Sequence, residues 1–363
     1  MNLPPDDAAK PDLGDVFRRL IAATGPISLL QYMGESNARY YAEHPAIGGA
    51  GDFITAPEIS QMFGELIGLC LADLWQRAGK PEPVHYIELG PGKGTLARDA
   101  LRAMRQQGLH PQMHLVETSQ AMREAQIAAV PGVIHHHDLT NVPQDGPILL
   151  VANEFLDALP VRQLVKTDNG WREVMVGVNA AGAFVETVGG QPMDAAVSSE
   201  RRDDPAGSVI ETSPACAAIV SEVASRLALQ GGAALFIDYG HADGRSGSSV
   251  QAVRGQERVG LFDAPGEADI SAHVDFAQGE AIAAAQGCRV LGTVTQGSWL
   301  YALGIMQRAQ ALATGAPDQR EALMQARDRL IAPDQMGTLF KVMGLAGPDW
   351  PDAAGFPRGE PAR

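Results

Sequence analysis

A glycine-rich loop constrains this chain more than any other stretch. Residues 84–101 read VHYIELGPGKGTLARDAL: a short apolar run, three glycines at alternate positions, then a helical pattern. Such a turn brings a ligand close to the backbone, because glycine puts no Cβ in the way. A phosphate-binding P-loop needs Gly-Lys followed by Ser or Thr, but here Lys93 is followed by Gly94. A dinucleotide loop needs GxGxxG, but the glycines here are Gly90, Gly92 and Gly94, and position 95 is Thr. Glu88 stands at the carboxyl end of the strand, where a carboxylate repels pyrophosphate and favours an amine or a sulfonium. S-adenosyl-L-methionine carries both and has no phosphate. The same residues also suit a plain strand-to-helix turn.

Two later acids point the same way. The run MHLVE ends at Glu117, placed to accept from both ribose hydroxyls, and VIHHHD ends at Asp138, placed to accept from the adenine amino group. Either could be a surface residue by itself. Together with Glu88 they mark three successive strand ends, where open α/β sheets bind ligands. His135 and His137 share one face of a strand, yet no third ligand lies nearby in the sequence. They read as solvent-facing histidines of an edge strand, and no metal is expected.

The fourth apolar run leads into VANEFLDALP, residues 151–160. In adenosylmethionine enzymes of this architecture the loop after strand four faces the methyl group, which puts Asn153, Glu154 and Asp157 where an acceptor must sit. Asp157 also suits a helix cap. Glu154 beside a sulfonium suits a cationic acceptor such as guanidinium, which carboxylates bind through two parallel hydrogen bonds.

Around these motifs the chain divides by pattern. Residues 1–12 read as a disordered tail and 13–80 as a helical N-terminal cap. A βαβαβ rhythm over 81–160, resumed over 208–346, makes a cofactor-binding core with a parallel sheet covered by helices. Residues 161–207 break the rhythm with alternating runs joined by Asn-Gly and Gly turns, an antiparallel β insertion. A long Gly- and Ser-rich loop spans 241–270, and 347–363 is a flexible tail. The expected fold class is α/β.

The formal net charge of −15 makes a general nucleic-acid binder a poor reading, since phosphate affinity comes from clustered Lys and Arg. Cys70, Cys216 and Cys288 are odd in number and far apart, with no CxxC pair, which suits a reduced compartment rather than a disulfide or zinc framework. No apolar run approaches membrane-spanning length. The start, MNLPPDDAAKPDLGDVF, lacks the signature of a signal or transit peptide.

At the level of whole motifs the chain resembles the MidA-like proteins, whose mitochondrial members are complex I assembly arginine methyltransferases. The resemblance covers about residues 24–345 and rests on GPISLLQYM, GDFITAPEISQMFGE, ELGPGKGTLARD, VANEFLDALPVRQ, IDYGH, PGEADISAHVDF, TQGSWLYALGI and MGTLFKVM. It implies a class I methyltransferase fold: a Rossmann-like, seven-stranded, mostly parallel sheet with its last strand antiparallel, plus added helices and the insertion. It implies S-adenosyl-L-methionine held by Gly90, Gly92, Gly94 and Glu117, with Asn153, Glu154 and Asp157 facing an arginine. The GDFITAPE run, through Asp52, Phe53, Thr55, Pro57 and Glu58, would close over the cofactor. DISAHVDF, through Asp269, His273 and Asp275, would line the same cleft; it has Ser where the family pattern has Thr, which keeps the hydroxyl.

The implied partner is a protein, the 49-kDa-type subunit of complex I, and the implied product symmetric dimethylarginine; a homodimer is left open. Lacking a transit peptide, the chain is expected to be a bacterial cytoplasmic protein. A small-molecule methyltransferase and a non-catalytic, cofactor-binding assembly factor remain as alternatives; a dehydrogenase fits the glycine spacing worst.

Overall fold

A computed structural model describes residues 11–43 and 54–357. The chain forms two compact units. Of the described residues, the larger comprises 54–159, 214–245 and 272–357, and the smaller 11–43, 160–213 and 246–271.

The larger unit is built on strands β1 (His85–Leu89), β2 (Gln112–Val116), β3 (Ile134–His136), β4 (Ile148–Asn153), β5 (Gly232–His241), β6 (Arg289–Thr295) and β7 (Phe340–Ala346). Their order across the sheet is β6-β7-β5-β4-β1-β2-β3, and a two-residue strand, Val274–Asp275, adds to β5. β1 to β5 pair in parallel, while β7 runs antiparallel to both β5 and β6. This is the expected α/β sheet with its last strand reversed. Parallel strands require crossover connections, and helices α2 (Thr95–Gln106), α3 (Gln120–Ala129), α4 (Pro214–Gln230) and α5 (Phe276–Ala285) lie in four of them, while α1 (Gln61–Arg77) precedes β1.

Every residue of β1 and of β4 is buried, because both faces of the sheet are covered. Tyr86, Leu149 and Val151 join one apolar cluster with Phe63, Leu66 and Trp75 of α1. Ile87, Leu150 and Phe236 join another with Val220, Val223 and Leu227 of α4. Glycine sets how close α1 lies to α2: a Cβ on Gly68 would stand 2.3 Å from the carbonyl oxygen of Ala100. Glu65, buried between them, takes Arg102 and Arg308, and these guanidinium partners hold its carboxyl below the usual range although burial opposes them.

The smaller unit has a five-stranded antiparallel sheet of Ile27–Ser28, Arg162–Thr167, Gly170–Val178, Phe184–Val188 and Val209–Thr212. Helices Leu13–Thr24 and Leu29–Glu43 belong to this unit. Phe17 packs on Tyr32 at 5.0 Å between ring centres and edge-on against Phe184 at 6.3 Å. The boundaries therefore fall differently from those read along the chain. The segment 13–80 is divided: its first two helices carry an aromatic face that the inserted strands cover, whereas α1 is buried at 12 of its 17 residues in the larger unit. The supposed loop over 241–270 contains strands Gln251–Arg254 and Glu257–Val259, which with Asp269–Ser271 make a small sheet. Among the described residues no helix is long and apolar enough to cross a membrane.

Candidate functional site

The site lies where β1 and β4 end side by side. β1 runs buried to Leu89, and the chain then turns through Gly90 at φ +59°, Gly92 at φ +51° and Gly94 at φ +79°, a backbone region that residues with a Cβ adopt rarely. Gly94 is the N-cap of α2. Gly90 donates to the carbonyl of Val116, and the Gln126 amide donates to the carbonyl of Gly92 at 2.6 Å, so the loop is held by β2 and α3.

A cleft of about 420 Å³, open to solvent, is lined by Thr55, Pro57, Glu58, Glu88, Gly90, Gly92, Asn153 and Glu154 together with Pro91, Lys93, Thr95 and Leu96. Of the residues singled out from the sequence, the first eight therefore share one cleft. Asp52 and Phe53 lie outside the described residues.

Glu88 is 3% exposed, and the hydroxyl of Tyr86, two residues earlier on the same strand face, donates to it at 2.5 Å. Burial pushes the Glu88 carboxyl up to about 8, against the opposing effect of that hydrogen bond. The negative charge expected from the sequence is thus conditional. Burial favours the neutral form of Glu88, and a cation beside it would favour the charged one.

Asn153 is the last residue of β4. Glu154 follows in a left-handed conformation, φ +50°, which only three non-glycine residues of the described chain adopt. One oxygen of Glu154 accepts from the Ala56 amide at 2.9 Å and from Asn153 Nδ2 at 3.2 Å. Burial pushes its carboxyl up to about 7; those two bonds, and Arg329, act in the opposite direction. Asn153 Oδ1 is buried and has no hydrogen-bond partner among the described residues. Asp157 is pushed up to about 6, first by burial; its bond from the Tyr239 hydroxyl opposes the shift, and the Glu154 carboxylate adds to it.

The segment before α1 closes one side. Its short turn Ala56–Ile59 is pinned twice, by the Ala56 amide on Glu154 and by the Thr95 hydroxyl, which donates to Glu58 at 2.5 Å. The remaining residues lie elsewhere. Glu117, at the end of β2, accepts from the Ser119 amide at 2.8 Å and from Gln126 at 3.3 Å. Asp138 is exposed and accepts from the Thr140 amide as the cap of the turn Leu139–Asn141, since β3 stops at His136 and the chain bends before the acid is reached. The His273 ring stands edge-on to Tyr239 with centres 5.6 Å apart, and Asp275 caps α5. Asp269 belongs to the smaller unit, where the Tyr41 hydroxyl donates to it at 2.7 Å.

The histidines depart from expectation. His137 is exposed, but His136 bonds to His114 at 2.9 Å, His114 to His85 at 3.0 Å, and His85 to Asp145 at 2.9 Å. His135 bonds to Gln126 at 2.8 Å. The rings form a line across β1, β2 and β3 because strands in a sheet stand about 4.8 Å apart, close enough for ring-to-ring hydrogen bonds.

Sequence reading passed over Asp238. It is 1% exposed on β5, and its Oδ2 accepts from three successive amides, those of Phe155, Leu156 and Asp157, at 3.1, 2.9 and 3.2 Å. The motif IDYGH contained it, but nothing in that run says that β5 lies next to β4.

The model of a family described as "Putative S-adenosyl-L-methionine-dependent methyltransferase" matches residues 66–294. A relative from Danio rerio named "Protein arginine methyltransferase NDUFAF7, mitochondrial" is 36% identical, over 90% of this chain and 84% of its own. The human protein of the same name is 33% identical, over 95% and 85%. A solved structure from Burkholderia thailandensis, bound to S-adenosyl-homocysteine, is 28% identical, covers 94% of this chain and 93% of its own, and superposes with a TM-score of 0.80. The relatives named as mitochondrial overturn the expectation of a bacterial cytoplasmic protein.

Proposed function

The chain belongs to this family of S-adenosyl-L-methionine-dependent methyltransferases, and on that premise we propose that it methylates an arginine side chain of a protein. The observation that carries this reading is a buried acceptor without a donor, beside two buried acids, at the end of β4. Asn153 Oδ1 is buried and unpartnered, and Glu154 and Asp157 are carboxyls whose ionised form burial disfavours. A guanidinium is always charged and offers five N–H donors, so it satisfies the amide oxygen and restores the charge on the acids.

The cofactor fits the chain's own residues. The glycine loop offers bare backbone, and Glu88 offers a carboxylate to a cationic group of the ligand. Bound there, S-adenosyl-L-methionine supplies a methyl group on a sulfonium. The residues orient the acceptor nitrogen for in-line attack, work that is positioning and electrostatics. In the transfer the S–CH₃ bond would break as the N–CH₃ bond forms, S-adenosyl-homocysteine would leave, and the nitrogen would shed a proton. Glu154, its charge restored by the guanidinium beside it, would take that proton. The name of the relatives, protein arginine methyltransferase, supports the acceptor class. The product we propose is symmetric dimethylarginine, and the substrate the 49-kDa-type subunit of respiratory complex I, whose assembly the protein would aid.

The test has two parts. Lysate incubated with cofactor carrying a labelled methyl group should show label in protein, and co-expression with its host's complex I catalytic subunits should yield methylarginine by mass spectrometry. Label confined to small molecules would sink the reading. Glu154→Gln should keep cofactor binding but lose on the order of a hundredfold in single-turnover transfer, the scale for a preorganised electrostatic contact.

A further inference from the structure

We infer that Asp238 is a positioning residue of the acceptor site: its carboxylate gathers the backbone of residues 155–157 and thereby holds Glu154 in its left-handed conformation, aimed at the cleft. The inference rests on the placement of Glu154 proposed above.

Three successive amides converging on one oxygen is the geometry by which backbone binds an anion. Here the anion is a side chain of the neighbouring strand. The other oxygen, Oδ1, accepts from the Tyr239 amide at 2.9 Å, so four N–H groups hold the carboxylate from both sides. Glu154 sits just before the gathered turn, and its own amide donates to the Ile237 carbonyl at 2.9 Å. β5 therefore grips the chain on both sides of the Glu154 α-carbon: by Ile237 before it and by Asp238 after it. Between those grips the backbone takes a conformation that a glutamate seldom adopts. Released from Asp238, Glu154 is free to return to the usual region, which turns its side chain away from Ala56 and Asn153.

A device that served stability alone would not be built this way. Asp238 is buried beside Asp157 and Glu154, and like charges in a buried place oppose folding. Burial, then the two neighbouring acids, push the Asp238 carboxyl well above its usual range, while the amides of Asp157 and Tyr239 pull it back. An amide in its place has one acceptor oxygen only, and its nitrogen would face an N–H donor on the other side, so it holds the turn less fully. The carboxylate keeps three acids together, and a cationic acceptor relieves their repulsion.

The test compares wild type, Asp238→Asn, Glu154→Gln and the double variant. Each is titrated with S-adenosyl-homocysteine by calorimetry and assayed for single-turnover methyl transfer at saturating cofactor. The acceptor is the fraction, protein or small-molecule, that takes label with wild type; if this is the small-molecule fraction, the arginine reading fails while the present inference is still tested. Expected is an Asp238→Asn protein that binds the ligand within about twofold of wild type, transfers at least tenfold more slowly, and adds no further loss on the Glu154→Gln background. Multiplying losses would mean that Asp238 acts independently of Glu154, and would overturn the inference. So would wild-type transfer by Asp238→Asn, a loss of ligand binding as large as the loss of transfer, or an unaffected Glu154→Gln. Should the Asn variant fail to fold, Asp238→Glu keeps the charge on a longer arm and faces the same four-way comparison and the same outcomes.

Discussion

Replacing Gly90 by alanine tests the link between the glycine loop and the turn after β4. At φ +59° an L-residue pays roughly 1–2 kcal/mol for the left-handed conformation. The new Cβ would also stand 2.6 Å from Cδ2 of Phe155. Carbon atoms in contact prefer about 3.5–4.0 Å, so the ring must retreat by about 1 Å. Overpacking of that kind adds about 1–3 kcal/mol, for a total near 3. Phe155 follows Glu154 directly and its amide is bound by Asp238, so the push reaches Glu154 and the cleft it lines. A misplacement of about 1 Å can slow an in-line transfer on the order of a hundredfold. Gly79→Ala is an internal control, because Gly79 also has positive φ, +88°, but nothing lies within 4 Å of its added Cβ. Denaturant unfolding should place Gly90→Ala about 1–3 kcal/mol below Gly79→Ala, and single-turnover transfer should be slow only in the former. If the two are equally stable and both transfer at the wild-type rate, the coupling through Phe155 is wrong.

Gly92→Val, at φ +51°, should abolish S-adenosyl-homocysteine binding in a calorimetric titration while leaving a folded protein; wild-type affinity would refute the loop assignment. Glu117→Ala should raise the dissociation constant of S-adenosylmethionine at least tenfold, from the loss of hydrogen bonds worth roughly 1.5–3 kcal/mol, and an unchanged constant would turn this carboxylate away from the ribose. Burial, then the neighbouring His85 and His136, lower the His114 imidazole from 6.5 to about 4. The unfolded chain thus takes a proton below pH 6.5 that the folded chain refuses. The stabilisation is complete above pH 6.5 and lost as pH falls to 4, up to about 3 kcal/mol. Unfolding free energies measured across that window should fall with pH in wild type and flatten in His114→Phe; parallel slopes would assign the loss to other groups.

What could be read along the chain is what depends on near neighbours. A strand that stops at three alternate glycines, with a glutamate two residues before the first, is a local statement, and the loop closes where the pattern places it. Asn153 and Glu154 were legible for the same reason, since they end an apolar run. Local reading failed where position depends on where a strand stops: Asp138 follows β3 by two residues, enough for the bend after His136 to turn it outward into a cap.

The order of strands across the sheet was decided in three dimensions. β4 and β5 are adjacent although some eighty residues separate Phe155 from Asp238, and only that adjacency brings a carboxylate under three amides. His85, His114 and His136 come from three strands and meet only because β1, β2 and β3 pair in register. Helices Leu13–Thr24 and Leu29–Glu43 read as part of one cap, yet their buried aromatic face found its partner in Phe184 of the insertion. The sequence by itself determined most element types and the glycine turn after β1, because backbone preferences and apolar periodicity act over a few residues. The tertiary structure decided which acids face one another and what charge they carry, because burial and hydrogen bonding between distant segments set both.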